Sequence, residues 1–158
     1  MAFFNKKEEQ EVGIQAYERV QIDFSPVIPP MKRIKDKSQI DVRYALISPF
    51  AFAHIHWNEK ISEVVYEVEE PLLNEEEKEY RKQIREAMRD MINFDSIVEK
   101  NIDSLMDYID RMFKTLLIEL GVNISYESYR KIYYYLARDF LGLNEIDPLL
   151  RDYFIEDI

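Results

Sequence analysis

The chain has no cysteine among its 158 residues. That excludes disulfides, thiol nucleophiles and thiolate-held metals together, and it fits a reducing compartment. Glycine is almost as scarce, with 3 residues, at positions 13, 121 and 142. Glycines this few and this far apart cannot build G-x-x-x-x-G-K-[ST] or G-x-G-x-x-G, so the phosphate cradle of a nucleotide-hydrolysing enzyme is missing. Long apolar runs are missing too. No stretch approaches the ~18–20 residues that span a bilayer, and residues 1–9, MAFFNKKEE, lack the apolar core of a secretory leader. The expected location is the cytoplasm. Positive charge is in deficit: the net charge is −10, and the excess acid lies almost wholly beyond residue 60. Such a surface repels phosphate backbones, which argues against a nucleic-acid partner.

What is present is globular in character, since 47% of residues are apolar and 33% charged. The 11 tyrosines and 9 phenylalanines supply large side chains for a core or an interface. Residues 1–40 show no clean period and are punctuated by Pro26, Pro29 and Pro30. They are expected to form an extended arm with one short strand around Val20–Phe24.

Residues 42–57 alternate, as strands do. Val42, Tyr44 and Leu46 oppose Arg43, Ala45 and Ile47; beyond Pro49, Phe50, Phe52, His54 and His56 share one face. Pro49 should sit at an edge or bulge. A turn is expected at Asn58-Glu59-Lys60, followed by a half-buried strand in which Val64, Tyr66 and Val68 alternate with Glu63, Glu67 and Glu69.

From residue 74 the period changes to that of helices. Asn74 and Glu77 form a capping box, and Tyr80, Ile84, Met88 and Ile92 recur on one stripe. Asp95 is placed to cap a second helix carrying Ile97, Val98, Ile102, Met106, Ile109, Phe113 and Leu117, with Gly121 ending it. Ser125 should cap a third, through Tyr129, Ile132, Tyr133 and Leu136, that stops at Gly142. The expected fold is α+β: a small antiparallel sheet over 41–70 packed beside a three-helix bundle over 74–142. Residues 41–158 are expected to form one domain behind an arm of residues 1–40, with 143–158 as a hinge.

Few residues carry chemistry. His54 and His56 project from one strand face, but a tetrahedral metal shell needs more ligands, and no local Asp or Glu on that face is expected to supply a third. The expected reading is a pair of partly buried or edge histidines and no metal. The acidic runs Glu67/Glu69/Glu70 and Glu75-Glu76-Glu77 read as solvated faces and helix-end charges. Two basic groups stand out as docking candidates. Lys78, Lys82, Arg85 and Arg89 lie at helical spacing, and Lys32, Arg33, Lys35 and Lys37 follow two prolines. A basic strip on an acidic domain can orient an acidic partner.

The C-terminal run YYYLARDFLGLNEIDPLLRDYFIEDI (133–158) resembles the stretch that precedes the nucleotide-binding core in secretion ATPases of the type II/type IV pilus/archaellum superfamily, in an archaeal version. YEVEEPLL at 66–73 is similar to a strand-to-helix junction of the same proteins. The resemblance covers about a third of the chain. It implies that the chain is the non-catalytic front domain of a hexameric, cytoplasmic ATPase that uses ATP and Mg²⁺ in regions beyond Ile158. It implies contacts with that ATPase core, with neighbouring subunits and with a membrane platform protein. Asp147, Pro148, Leu149, Leu150, Arg151, Asp152, Ile155, Glu156 and Asp157 map onto the family pattern as an interdomain hinge, with Tyr153 where the family often has proline. No family catalytic residue maps onto this chain. The rival expectations are a freestanding helical adaptor and an enzyme built on the histidines and carboxylates.

Overall fold

The computed structural model describes residues 13–30, 33–93, 95 and 101–156. The fold is α+β, with an antiparallel sheet in the N-terminal half and helices in the C-terminal half. The contacts group the chain into two compact units, residues 1–20 with 73–142 and residues 21–72 with 143–158. This grouping cuts across the expected boundary at residue 40.

The second unit holds the sheet, ordered β1 (Asp41–Ile47), β2 (Ala51–Asn58) and β3 (Glu63–Glu69). Both pairings are antiparallel, with Arg43 opposite His54 and His54 opposite Glu67. Pro49 lies in the tight turn between β1 and β2, where Phe50 N donates to Ile47 O at 2.8 Å. It therefore never has to occupy a ladder position, which its missing N–H could not satisfy. The second turn runs over residues 59–62, and Asn58 Oδ1 accepts from Lys60 N at 3.0 Å. On one sheet face Tyr44, Leu46, Ala51 and Ala53 are buried.

The strand expected around Val20–Phe24 is reduced to a single bridge, in which Asp23 and Ser48 exchange two bonds of 2.9 Å. Asp23 Oδ1 takes the N–H of Ser25, so the ladder does not extend to the next position, and the segment meets β1 again only where Val27 N donates to Ala45 O at 2.9 Å.

The first unit holds α1 (Glu75–Met91), α2 (Ile102–Glu119) and α3 (Tyr126–Leu141). The capping box of α1 is complete: Asn74 Oδ1 accepts from Glu77 N at 2.8 Å and Glu77 Oε2 accepts from Asn74 N at 2.9 Å. Ile84 and Met88 are buried, yet Tyr80 and Ile92 are only half-buried and Glu77 is buried instead. A strict four-residue recurrence drifts about 40° per turn from a 3.6-residue helix, so the inward face follows 77, 81, 84 and 88.

The N-cap of α2 is Asn101, not Asp95; its side chain accepts from Ser104 N at 2.9 Å. Ile97 and Val98 lie outside the described residues. Gly121 ends α2 as expected, at φ +65°. Val122 N reaches back to Leu117 O at 2.9 Å and Gly121 N to Ile118 O at 3.1 Å, the paired bonds of a left-handed helix stop. Ser125 caps α3, and Gly142 follows its last residue in extended backbone.

Residues 13–20 are docked rather than extended. Ile14 and Val20 are buried, Tyr17 Oη donates to Ile124 O at 2.8 Å, and Lys114 Nζ donates to Tyr17 O at 2.6 Å. Arg19 pairs with Asp107 at 2.6 Å and Asp103 at 3.4 Å. Among the described residues no helix is long and apolar enough to cross a membrane.

Candidate functional site

Strand pleating puts alternate side chains on one face, and pairing then brings together residues far apart in sequence. On the polar face of the sheet, β1 contributes Asp41 and Arg43, β2 contributes Phe52, His54 and His56, and β3 contributes Glu67 and Glu69. His54 sits between two carboxylates, with Nε2 2.8 Å from Asp41 and Nδ1 2.9 Å from Glu69. His56 Nε2 lies 3.4 Å from Glu67, and the two imidazole rings are 4.5 Å apart. Arg43 donates to Glu69 at 2.5 Å and covers the Phe52 ring at 3.8 Å from its centroid.

The hydrogen bond to Asp41 raises the pKa of His54; partial burial opposes this and the Glu69 charge adds to it. Glu69 is held below the usual carboxylate range, first by its bond from Arg43. The expectation that no acid shares the histidine face is corrected here: antiparallel pairing brings Asp41 from β1 and Glu67 and Glu69 from β3 onto it, and His54, His56 and Glu67 each place one ligand atom within 4.8 Å of the other two.

The same unit fixes the C-terminal motif. Helix α4 (Asp147–Leu150) starts at Asp147, whose carboxylate accepts from Leu143 N at 3.0 Å and pairs with Arg151 at 2.7 Å. Arg151 also donates to Phe24 O at 3.1 Å and lies over the Phe24 ring. Asp152 is buried; its Oδ2 accepts from Tyr44 at 2.7 Å and from Tyr66 at 2.6 Å, and its Oδ1 accepts from Phe154 N at 3.0 Å. Burial, with the bonds to Asp152, pushes both phenols far above their usual range. Pro148 is buried, Leu149 and Ile155 are half-buried, and Leu150 and Glu156 are exposed; Asp157 lies outside the described residues. Next to this segment, Pro30, Ile34, Ile40, Val42, Tyr44 and Phe154 line an apolar pocket of about 400 Å³ that the sequence did not announce.

The basic stripe of α1 divides in two. Lys78, Lys82 and Arg89 are exposed, with Lys78 paired to Glu75 at 2.6 Å. Arg85 is half-buried, 3.7 Å from Asp139. Arg81, one turn before Arg85, pairs with Asp139 at 2.7 Å and stacks over Tyr135. Of the other basic run, Arg33, Lys35 and Lys37 are exposed, and Asp36 caps the short turn Lys37–Gln39 through Ser38 N at 2.9 Å. Lys32 lies outside the described residues.

No protein-family model matches the chain, and no curated protein is significantly similar to it.

Proposed function

We propose that this chain is a non-catalytic interaction domain of a secretion or pilus-assembly ATPase, coupling a hexameric motor in the cytoplasm to its membrane platform protein. The family part of the proposal rests on the C-terminal run and the strand-to-helix junction quoted above. ATP and Mg²⁺ would belong to the parent motor, not to this chain. The observation that carries the interaction part is the exposed basic strip of α1. Ile84 and Met88 face inward, and Lys78, Lys82 and Arg89 lie exposed along one flank of that buried face, on an otherwise acidic chain. A local positive strip in a negative field orients an acidic segment and repels basic ones. The occupant that fits is an acidic cytoplasmic loop of the platform protein.

The test is a pull-down against those loops with the triple variant Lys78→Glu, Lys82→Glu, Arg89→Glu. Arg85 is left intact because a glutamate there would face Asp139. Exposed ion pairs contribute ~0.2–1 kcal/mol each, so the triple reversal should weaken binding roughly tenfold or more, and salt should weaken the wild type. An unchanged melting curve confirms that the fold survives. Equal recovery of both proteins at low and high salt would defeat the docking proposal and favour a freestanding adaptor.

A further inference from the structure

We propose that His54, His56 and Glu67 form a binding site for a borderline divalent cation of the Zn²⁺ type, on the polar face of the sheet. The site is distinct from the α1 stripe and does not rest on the ATPase reading.

Three observations support it. First, the donors converge. One ligand atom from each residue lies within 4.8 Å of the other two. With metal–ligand bonds of about 2.1 Å, ligand atoms in a tetrahedral shell stand about 3.4 Å apart. His56 Nε2 and Glu67 Oε2 already meet that spacing, at 3.4 Å. Small side-chain rotations of the half-buried His54 close the rest.

Second, the backing is in place. A metal-bound imidazole typically gives its other ring nitrogen to a carboxylate, which fixes the ring and strengthens the ligand. Both nitrogens of His54 contact carboxylates, Asp41 at 2.8 Å and Glu69 at 2.9 Å. On binding, one nitrogen turns to the metal and releases its proton to solvent, while the other keeps its acid. Arg43 holds Glu69 through its other oxygen, Oε2.

Third, the charge and donor types select the ion. Asp41, Glu67 and Glu69 surround two imidazoles, so the local field favours a cation. Imidazole donors suit Zn²⁺, Ni²⁺ and Cu²⁺ rather than Mg²⁺ or Ca²⁺, which prefer all-oxygen shells. Two nitrogens and one oxygen leave a fourth position for water or for a ligand from a partner.

The experiment uses untagged full chain, freed of metal with chelator and titrated with Zn²⁺ against a chromophoric competitor. One equivalent should bind, and Mg²⁺ in thousandfold excess should not compete. His54→Ala, His56→Ala and Glu67→Gln should each weaken binding at least tenfold, with Asp41→Asn lowering it less. The chain has only 2 histidines, so imidazole nitrogen resonances report the ligands directly, and both rings should shift at one equivalent. That readout covers any variant that folds poorly. Absence of Zn²⁺ binding by the wild type at millimolar metal would overturn the proposal. So would stoichiometric binding that leaves both imidazoles unshifted.

Discussion

Asp152 is a buried carboxylate that satisfies two phenol hydroxyls from different strands, Tyr44 on β1 and Tyr66 on β3. Removing it strands both donors, and each unsatisfied buried group costs about 1–3 kcal/mol. Asp152→Ala should therefore destabilise its unit by about 3 kcal/mol, seen as a lower urea midpoint, and Asp152→Asn should cost less. Loss of both phenols as well, in Asp152→Ala/Tyr44→Phe/Tyr66→Phe, should recover part of the stability. Glu77 makes a second test of buried charge. Burial would raise its pKa, but the bond from Lys131, its cap bond from Asn74 and Ser128 outweigh that and hold it below the usual 4.5. A depressed folded value means the carboxylate's stabilisation is present above about pH 4.5 and is lost as pH falls through the folded value. Glu77→Gln removes the charge that Lys131 meets at 2.7 Å, and losing a charged partner at a partly buried site costs about 1–3 kcal/mol. The variant should be less stable at pH 7, and the gap should narrow as the pH of denaturant melts is taken below 4.

At the scale of elements, α2 stops because Gly121 adopts φ +65°, where a side chain is strained even though nothing lies within 4 Å of an added Cβ. Gly121→Ala should cost about 1 kcal/mol through the backbone alone. The urea midpoint should fall accordingly, with helical content by circular dichroism unchanged. Such local punctuation is what the sequence disclosed well. The Asn74 box, the Ser125 cap and the Gly121 stop each depend on residues a few positions apart. Strand alternation was equally legible from Val42 to Val68, because one face is buried and the other carries charge. What stayed hidden depends on separation. His54 meets Asp41 and Glu69 only after β1 and β3 pair with β2, and Glu77 reveals its burial only through Lys131 on α3. Residues 13–20 carry Ile14, Tyr17 and Val20 at three-residue spacing, too short a run to distinguish a docked segment from a loose one. Arg81 and Arg85 look alike on a helical wheel; the carboxylate of Asp139 on α3 separates them from the exposed lysines.

At the scale of the whole molecule, the described helix N-termini and glycines, where a nucleotide's phosphates would be expected to sit, are capped, acidic or isolated. Phosphate sites commonly use a glycine-rich loop or the free N–H groups at a helix N-terminus. The glycines here do other work or stand alone: Gly121 makes a helix stop and Gly142 follows α3. The three long helices are each capped by a side chain: Asn74 accepts from Glu77 N, Asn101 from Ser104 N and Ser125 from Ser128 N. Acids reinforce the block, with Glu75, Glu76 and Glu77 in the first turn of α1, Asp103 in that of α2 and Glu127 in that of α3. A triphosphate approaching any of them meets carboxylates before it meets donors, on a chain of net charge −10. The chain by itself is therefore expected to release no phosphate from ATP with Mg²⁺ above a buffer blank, and a fluorescent ATP analogue at millimolar concentration should show no saturable change. Mutating the caps should not create activity, because among the described residues no lysine is positioned by a glycine loop to reach the β- and γ-phosphates. Steady phosphate release that co-purifies with the protein through two chromatographic steps, and that falls when Asn74, Asn101 or Ser125 is changed to Ala, would contradict this assignment.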